Sequence, residues 1–258
     1  MIPAIGRVPI SHGLTWFVHG WRGFANAPGL LIGVMLVWLI VAIGLSLIPL
    51  LGSLVSTIIW PALFGGYLLM CRAAIDDSDP TLEQFFAGLT RKECRTDAIV
   101  LGLLLLVGHL LAMIITTVAF LLFCLLILGG IPWDLLAELR EGSPESVTLN
   151  IGMLLVFGLT VLVALVPYTL LAMAMTYGAP LVVDNRSTAL SALGVSINAC
   201  LRNILPLSVF ALIYLVLAVV AMIPLGLGLL LFIPVSMAAL AASYRDIFGE
   251  SEIVNRES

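Results

Sequence analysis

Residues 221–234 read AMIPLGLGLLLFIP and sit inside a run without charge that extends from 203 to 243. At about 1.5 Å per residue such a run makes a helix of roughly 60 Å, twice the ~30 Å of a bilayer's hydrocarbon core. Ile223-Pro224, followed by Gly226 and Gly228, falls near its middle. Proline removes a helix donor and clashes with the preceding turn, and glycine permits a tight return. The run therefore reads as a helical hairpin. A second uncharged run, residues 28–71, is as long and is broken in the same way by IPLLGS at 48–53.

Between these hairpins lie apolar runs at 99–128 and 151–183, the second with Pro167 inside it. The reading is six spans, at about 29–48, 54–75, 99–128, 151–178, 204–222 and 227–244. The composition agrees. The chain has 258 residues, 62% apolar and 10% charged, with mean hydropathy +1.20. Soluble domains are roughly half apolar and about a quarter charged. The fold expected is all-α: a polytopic membrane protein with three like-oriented hairpins in a single integral membrane domain over 1–258.

Basic residues orient the spans. Of eleven Lys and Arg, ten fall on one side under this topology: Arg7, Arg22, Arg72, Arg91, Lys92, Arg95, Arg186, Arg202, Arg245 and Arg256. Only Arg140 falls opposite, among four acidic residues. The positive-inside rule then puts both termini in the cytoplasm. The N-terminal stretch lacks the continuous apolar core of a signal peptide.

One unit recurs three times, over 12–77, 81–184 and 187–249. Each has a turn proline (Pro49, Pro132, Pro224) and a second proline in the returning span (Pro61, Pro167, Pro234). Five residues later stands Gly66, Ala172 or Ala239, and ten residues later Cys71, Tyr177 or Tyr244. Each unit opens with a stretch of helical apolar spacing: Leu14, Phe17, Val18, Trp21 and Phe24; Leu82, Phe85, Phe86 and Leu89; Leu190, Leu193, Ile197 and Leu201. These read as cytoplasmic amphipathic helices in the headgroup plane, with Trp16, Trp21 and Arg22 as interfacial anchors.

The middle unit is opened by an external loop at 129–150, where Asp134 can cap a short helix. Residues 133–150 are either a connector or a docking surface for a membrane or periplasmic protein. Asp79-Pro80-Thr81 reads as a loop turning into a helix, with Glu83 in its first turn.

Little chemistry is visible. His109 is the one titratable group expected near the bilayer midplane, about 12 residues or roughly 18 Å past Asp97. It is either a packing histidine, or a proton relay or metal ligand with Met113 one turn on, and the lack of a carboxylate or second histidine favours packing. Cys71, Cys94, Cys124 and Cys200 show neither metal-site nor disulfide spacing. Nucleophile and phosphate-loop motifs are absent, so neither enzymatic activity nor a cofactor is expected. No basic patch suggests nucleic acid. Gly29-x-x-x-Gly33, Ala62-x-x-x-Gly66 and Ala238-x-x-x-Ala242 suit close helix packing, within the bundle or in a homo-oligomer.

Two motifs carry a resemblance: Arg202-Asn203-Ile204-Leu205-Pro206, and Pro234 leading to Tyr244-Arg245-Asp246-Ile247-Phe248-Gly249. With the Ile-Pro hairpins, they make the chain resemble uncharacterised multi-pass inner-membrane proteins of Gram-negative bacteria. It is similar in outline to the membrane domain of some glycerophosphodiester phosphodiesterases. The resemblance implies a membrane fold and no catalytic residues. The functional expectation is a bilayer-embedded, non-enzymatic protein with an assembly or envelope-maintenance role; the rival is a transporter or lipid-handling protein with a cavity in the bundle.

Overall fold

The computed structural model describes residues 3–48, 51–130 and 151–254, with side chains as far as 249. Among these residues the chain forms nine α-helices and no strand. They are α1 (His12–Asn26), α2 (Pro28–Ser46), α3 (Leu51–Ile75), α4 (Leu82–Thr90), α5 (Lys92–Phe123), α6 (Ile151–Val183), α7 (Ala189–Arg202), α8 (Ile204–Met222) and α9 (Leu229–Val254). A π-helical turn, Cys124–Leu128, continues α5. Helices α2, α3, α5 with its π turn, α6, α8 and α9 are each long and apolar enough to cross a membrane. The chain is a multi-pass membrane protein.

Local chemistry sets the boundaries. Pro28 occupies the first turn of α2, where its missing N–H costs nothing. Thr81 and Gln84 form a reciprocal capping box that starts α4, with Glu83 in the first turn. Between α8 and α9 the chain reverses over six residues, with Leu225 (φ 55°) and Gly226 (φ 80°) in the left-handed region. Gly228 then passes so close to α8 that a methyl group on it would lie 2.6 Å from the Ala221 carbonyl oxygen. Pro224 thus stands in a turn, whereas Pro61, Pro167 and Pro234 lie within α3, α6 and α9. Pro49, Pro132 and the loop segment 133–150 fall outside the described residues.

The chain divides into two compact units, Met1–Leu106 with Met173–Ser258, and Val107–Ala172. In the smaller unit, α5 and α6 approach closely at Gly108, where a methyl group would lie 2.5 Å from Leu171 Cδ2.

In the larger unit the returning helices α3, α6 and α9 touch one another. A methyl group on Gly65 would lie 2.7 Å from the Ala179 carbonyl oxygen, joining α3 to α6. Tyr177 of α6 stacks near Tyr244 of α9, with ring centroids 6.4 Å apart. Leu68 and Cys71 of α3 share a buried cluster with Val235, Ala238 and Ala241 of α9.

A short helix seals each returning helix. Helix α4 lies on α3, where a methyl group on Gly66 would fall 2.0 Å from the Phe85 carbonyl oxygen. Helix α7 lies on α6, its Ser196 hydroxyl donating to the Met173 carbonyl and accepting from the Tyr177 N–H at 3.0 Å. Helix α1 lies on α9, with Gly20 against Ala239. So α4 and α7 pack on the span that precedes them, and α1 packs on α9, the sixth span. One docking relation is used three times and closes on itself.

The short helices turn mainly small residues inward. In α7 the buried residues are Ala189, Ala192, Val195, Ser196, Ala199 and Cys200, while Leu190 and Leu201 are exposed. In α1, Phe17 and Phe24 turn inward with Gly13, Gly20 and Gly23, while Leu14, Val18 and Trp21 are exposed. Small residues allow backbones to approach, and in lipid a large apolar side chain gains little by turning inward. The glycine pairs divide similarly. Gly66 is pressed against backbone, whereas methyl groups on Gly29 or Gly33 would meet nothing within 4 Å. The expected packing role of Gly29-x-x-x-Gly33 within the bundle is therefore corrected.

Gly20→Ala should destabilise the protein by about 1–3 kcal/mol, because its added methyl would meet the Ala239 backbone, 2.5 Å from its nitrogen. Gly29→Ala should not, since its site is open. Thermal unfolding of the purified variants in detergent checks the contrast.

Candidate functional site

The polar side chains of the larger unit gather where the returning helices end. Ten residues beyond the second proline stand Cys71, Tyr177 and Tyr244, all buried. The Tyr177 and Ser243 hydroxyls are hydrogen-bonded at 3.0 Å. Just beyond them, Arg72 of α3 donates to Asp184 Oδ2 at 3.1 Å, and the Tyr244 hydroxyl of α9 donates to the same oxygen at 3.3 Å. Arg72 Nε also lies 3.7 Å from Asp76, to which Arg245 of α9 donates. Arg186 donates to the Phe248 carbonyl at 3.2 Å. One ionic lattice thus ties the ends of all three returning helices.

Burial pushes the Asp184 carboxyl above its usual range, against the opposing pull of Arg72, Arg186 and the Tyr244 hydrogen bond. Among the described residues, every buried side-chain nitrogen and oxygen has a hydrogen-bond partner.

A second group fastens the N-terminal segment. Asp246 of α9 accepts from His12 Nδ1 at 2.7 Å and from Trp16 Nε1 at 2.8 Å. Asn203 is buried; its Oδ1 accepts from the Val8 N–H and its Nδ2 donates to the Gly6 carbonyl, both at 3.0 Å. The Gly6 N–H continues to the Ile247 carbonyl at 2.9 Å. Pro206 lies where α8 meets α1, so close that a methyl group on Gly13 would fall 2.4 Å from its carbonyl oxygen. The two sequence motifs therefore converge on one task, which is to hold the N-terminal segment and α1 in place.

Trp16, expected in the headgroup plane, is instead buried, because its indole N–H reaches Asp246 and its ring meets Phe210 edge-on at 6.0 Å. Trp21 and Arg22 are exposed. His109 belongs to the smaller unit, is exposed, and has its ring centroid 6.3 Å from that of Tyr168. Met113, one turn on, is exposed as well.

All four cysteines are buried free thiols, and burial pushes the Cys200 thiol up to about 12. A thiol so shifted carries almost no thiolate at neutral pH and is a poor nucleophile. No group of three or more His, Cys, Asp and Glu among the described residues is arranged to hold a metal ion.

The larger unit also contains a half-open cavity of about 80 Å³, lined by Met35, Trp38, Trp60, Leu63, Phe64, Tyr67, Phe85, Ile233 and Met237. Its aromatic wall is continuous: Trp38 and Trp60 have centroids 4.4 Å apart, and Tyr67 meets Phe85 edge-on at 6.2 Å. The Tyr67 hydroxyl donates to the Leu31 carbonyl at 2.9 Å.

Residues 17–247 match the family described as Domain of unknown function (DUF7847). The chain belongs to that family. The match runs from within α1 to Ile247, so it takes in nearly all of the first polar group and, of the second, Asn203, Pro206, Asp246 and Ile247 but not Gly6, Val8, His12 or Trp16. No curated protein and no solved structure matches the chain.

Sequence reasoning named Asp246 only within the C-terminal motif and gave Asp76 and Asp184 no role. The three stand 15, 17 and 12 residues beyond the second prolines. Asp76 and Asp184 are engaged by Arg72 and Arg245, and Asp246 by His12 and Trp16.

Arg72→Gln should cost about 1–2 kcal/mol, between the values for exposed and buried pairs, since both partners are partly exposed. The raised Asp184 carboxyl means that the folded state holds this proton more tightly than the unfolded chain does. Its contribution to stability must therefore fall as pH rises from about 4 through the raised value. Asp184→Asn should flatten that part of the profile, measured by denaturation between pH 4 and 8. Asn203→Ala should speed amide exchange at Gly6 and Val8, read by hydrogen-exchange mass spectrometry.

Proposed function

We propose that the protein is a non-enzymatic scaffold of a bacterial inner membrane, acting in membrane-protein assembly or envelope maintenance, with both termini cytoplasmic. The observation that carries this reading is the ionic lattice. Arg72, Asp76, Asp184, Tyr244 and Arg245 engage one another at the ends of three spans. Such fastening suits a fixed framework better than a pathway that must open and close. The distribution of Lys and Arg supports the orientation. The external residues 133–150 are then the surface for a periplasmic or membrane partner, and the exposed apolar faces of α1 and α2 meet lipid or a second copy.

A second reading, lipid handling, is favoured by one observation: the half-open cavity has an almost entirely carbon lining. It fits a hydrocarbon chain and offers nothing to an ion or sugar. The outline likeness to membrane domains attached to glycerophosphodiester phosphodiesterases agrees with an accessory role at the bilayer.

Cells lacking the protein should become sensitive to detergent. A chain whose residues 133–150 are replaced by a short Gly-Ser linker should accumulate normally yet fail to restore resistance. Full rescue by that chain would remove the docking role, and solute flux through reconstituted liposomes would overturn the scaffold reading. Tags at Ser143 and at the C-terminus should report opposite sides of the membrane.

A further inference from the structure

We propose that the cavity between α2, α3, α4 and α9 is a binding site for one acyl chain of a phospholipid, admitted sideways from the bilayer. The proposal names the ligand for the lipid-handling reading and rests on it.

Protein interiors pack to crystal-like density and rarely leave voids larger than a water molecule. A half-open space of about 80 Å³ walled by Met35, Trp38, Trp60, Tyr67, Phe85 and Met237 therefore calls for an occupant. Water does not suit it. Apolar cavities stay dry because a water molecule needs two to four polar partners, and the one hydroxyl on this wall, Tyr67, is engaged by the Leu31 carbonyl at 2.9 Å. Polar metabolites fail for the same reason. What remains is hydrocarbon, and two methionines give the wall an adaptable surface.

Position selects the source. Helices α2, α3 and α9 are spans, so the open side lies at membrane depth, where phospholipid chains are the abundant hydrocarbon. Phe85 comes from the short amphipathic α4, which begins at an exposed capping box and so marks the headgroup end of the cavity.

Helix α2 supplies the way in. Gly29 and Gly33 contact nothing on its other flank, where a second apolar groove runs past Leu82 and Phe86 and shares the Phe85 wall. The grooves on its two flanks leave a sideways path along α2 without parting it from α3, to which the Tyr67 hydroxyl holds the Leu31 carbonyl.

The test is retention of lipid by the full chain purified in mild detergent, read by native mass spectrometry after stepwise delipidation. The wild type should keep one phospholipid. Met237→Trp, which fills the cavity, should lower retention about tenfold, a difference near 1.4 kcal/mol. Val41→Trp, on the exposed face of α2, should leave retention unchanged. Leu63→Phe is the second filling variant if Met237→Trp does not fold, and equal melting temperatures certify the comparison. Undiminished retention in a folded filling variant would overturn the site while leaving the lipid-handling reading standing. A wild type that keeps no lipid would overturn both. Retention of free fatty acid in place of phospholipid would overturn the proposed source.

Discussion

The fold depends on the contact between α1 and α9, helices at opposite ends of the chain. It requires glycine at position 20, because any side chain there would push against the Ala239 backbone. It is fixed in rotation by Asp246, which grips His12 and Trp16 together. Without this contact α9 would have no covering helix of the kind that α3 and α6 possess. The N-terminal segment would also lose its anchor at Ile247.

Around that contact the spans divide their labour. The returning helices α3, α6 and α9 supply the small residues, buried tyrosines and paired charges that hold the larger unit. The outgoing helices α2 and α8 are almost wholly exposed to their surroundings. Hydrocarbon solvates such surfaces as well as protein does, so these helices need few partners, and space is left beside α2. The charges sit at helix ends, where an arginine can pair without the cost of full desolvation.

Much of this was legible in the sequence. Length and Ile-Pro interruptions gave the six spans to within a few residues at most ends, and Thr81 announced α4. The inward faces were not legible. The spacing of Leu190, Leu193, Ile197 and Leu201 on α7 reads as a helix in the headgroup plane, and Leu190 and Leu201 are exposed; the face that packs, with Ala192, Ser196 and Ala199, has no large apolar side chain to announce it. The glycine motifs were equally ambiguous, since position 66 and position 29 read alike and only the neighbouring backbone tells them apart. Trp16 and Trp21 likewise differ only in what lies opposite. Of the polar lattice, the arginines and Tyr244 were noticed; Arg72 and Asp76 are a local i,i+4 pair, but Asp184 and Arg245 reach their partners only across helices, which no local pattern reveals.

The clasp between α1 and α9 also sets an order of events during synthesis. When α1 leaves the ribosome, its partner lies more than 200 residues from being made. Until then Trp16 and its neighbouring glycines have no protein surface to meet, and the headgroup layer is the natural place for such a helix to wait. Contacts this distant in sequence form late. The sixth span is thus the one that captures α1, so the fold closes only once α9 has been inserted. A chain cut short before α9 would carry its unclasped N-terminal helix as a visible mark of incompleteness, available to the proteases and chaperones that survey the membrane.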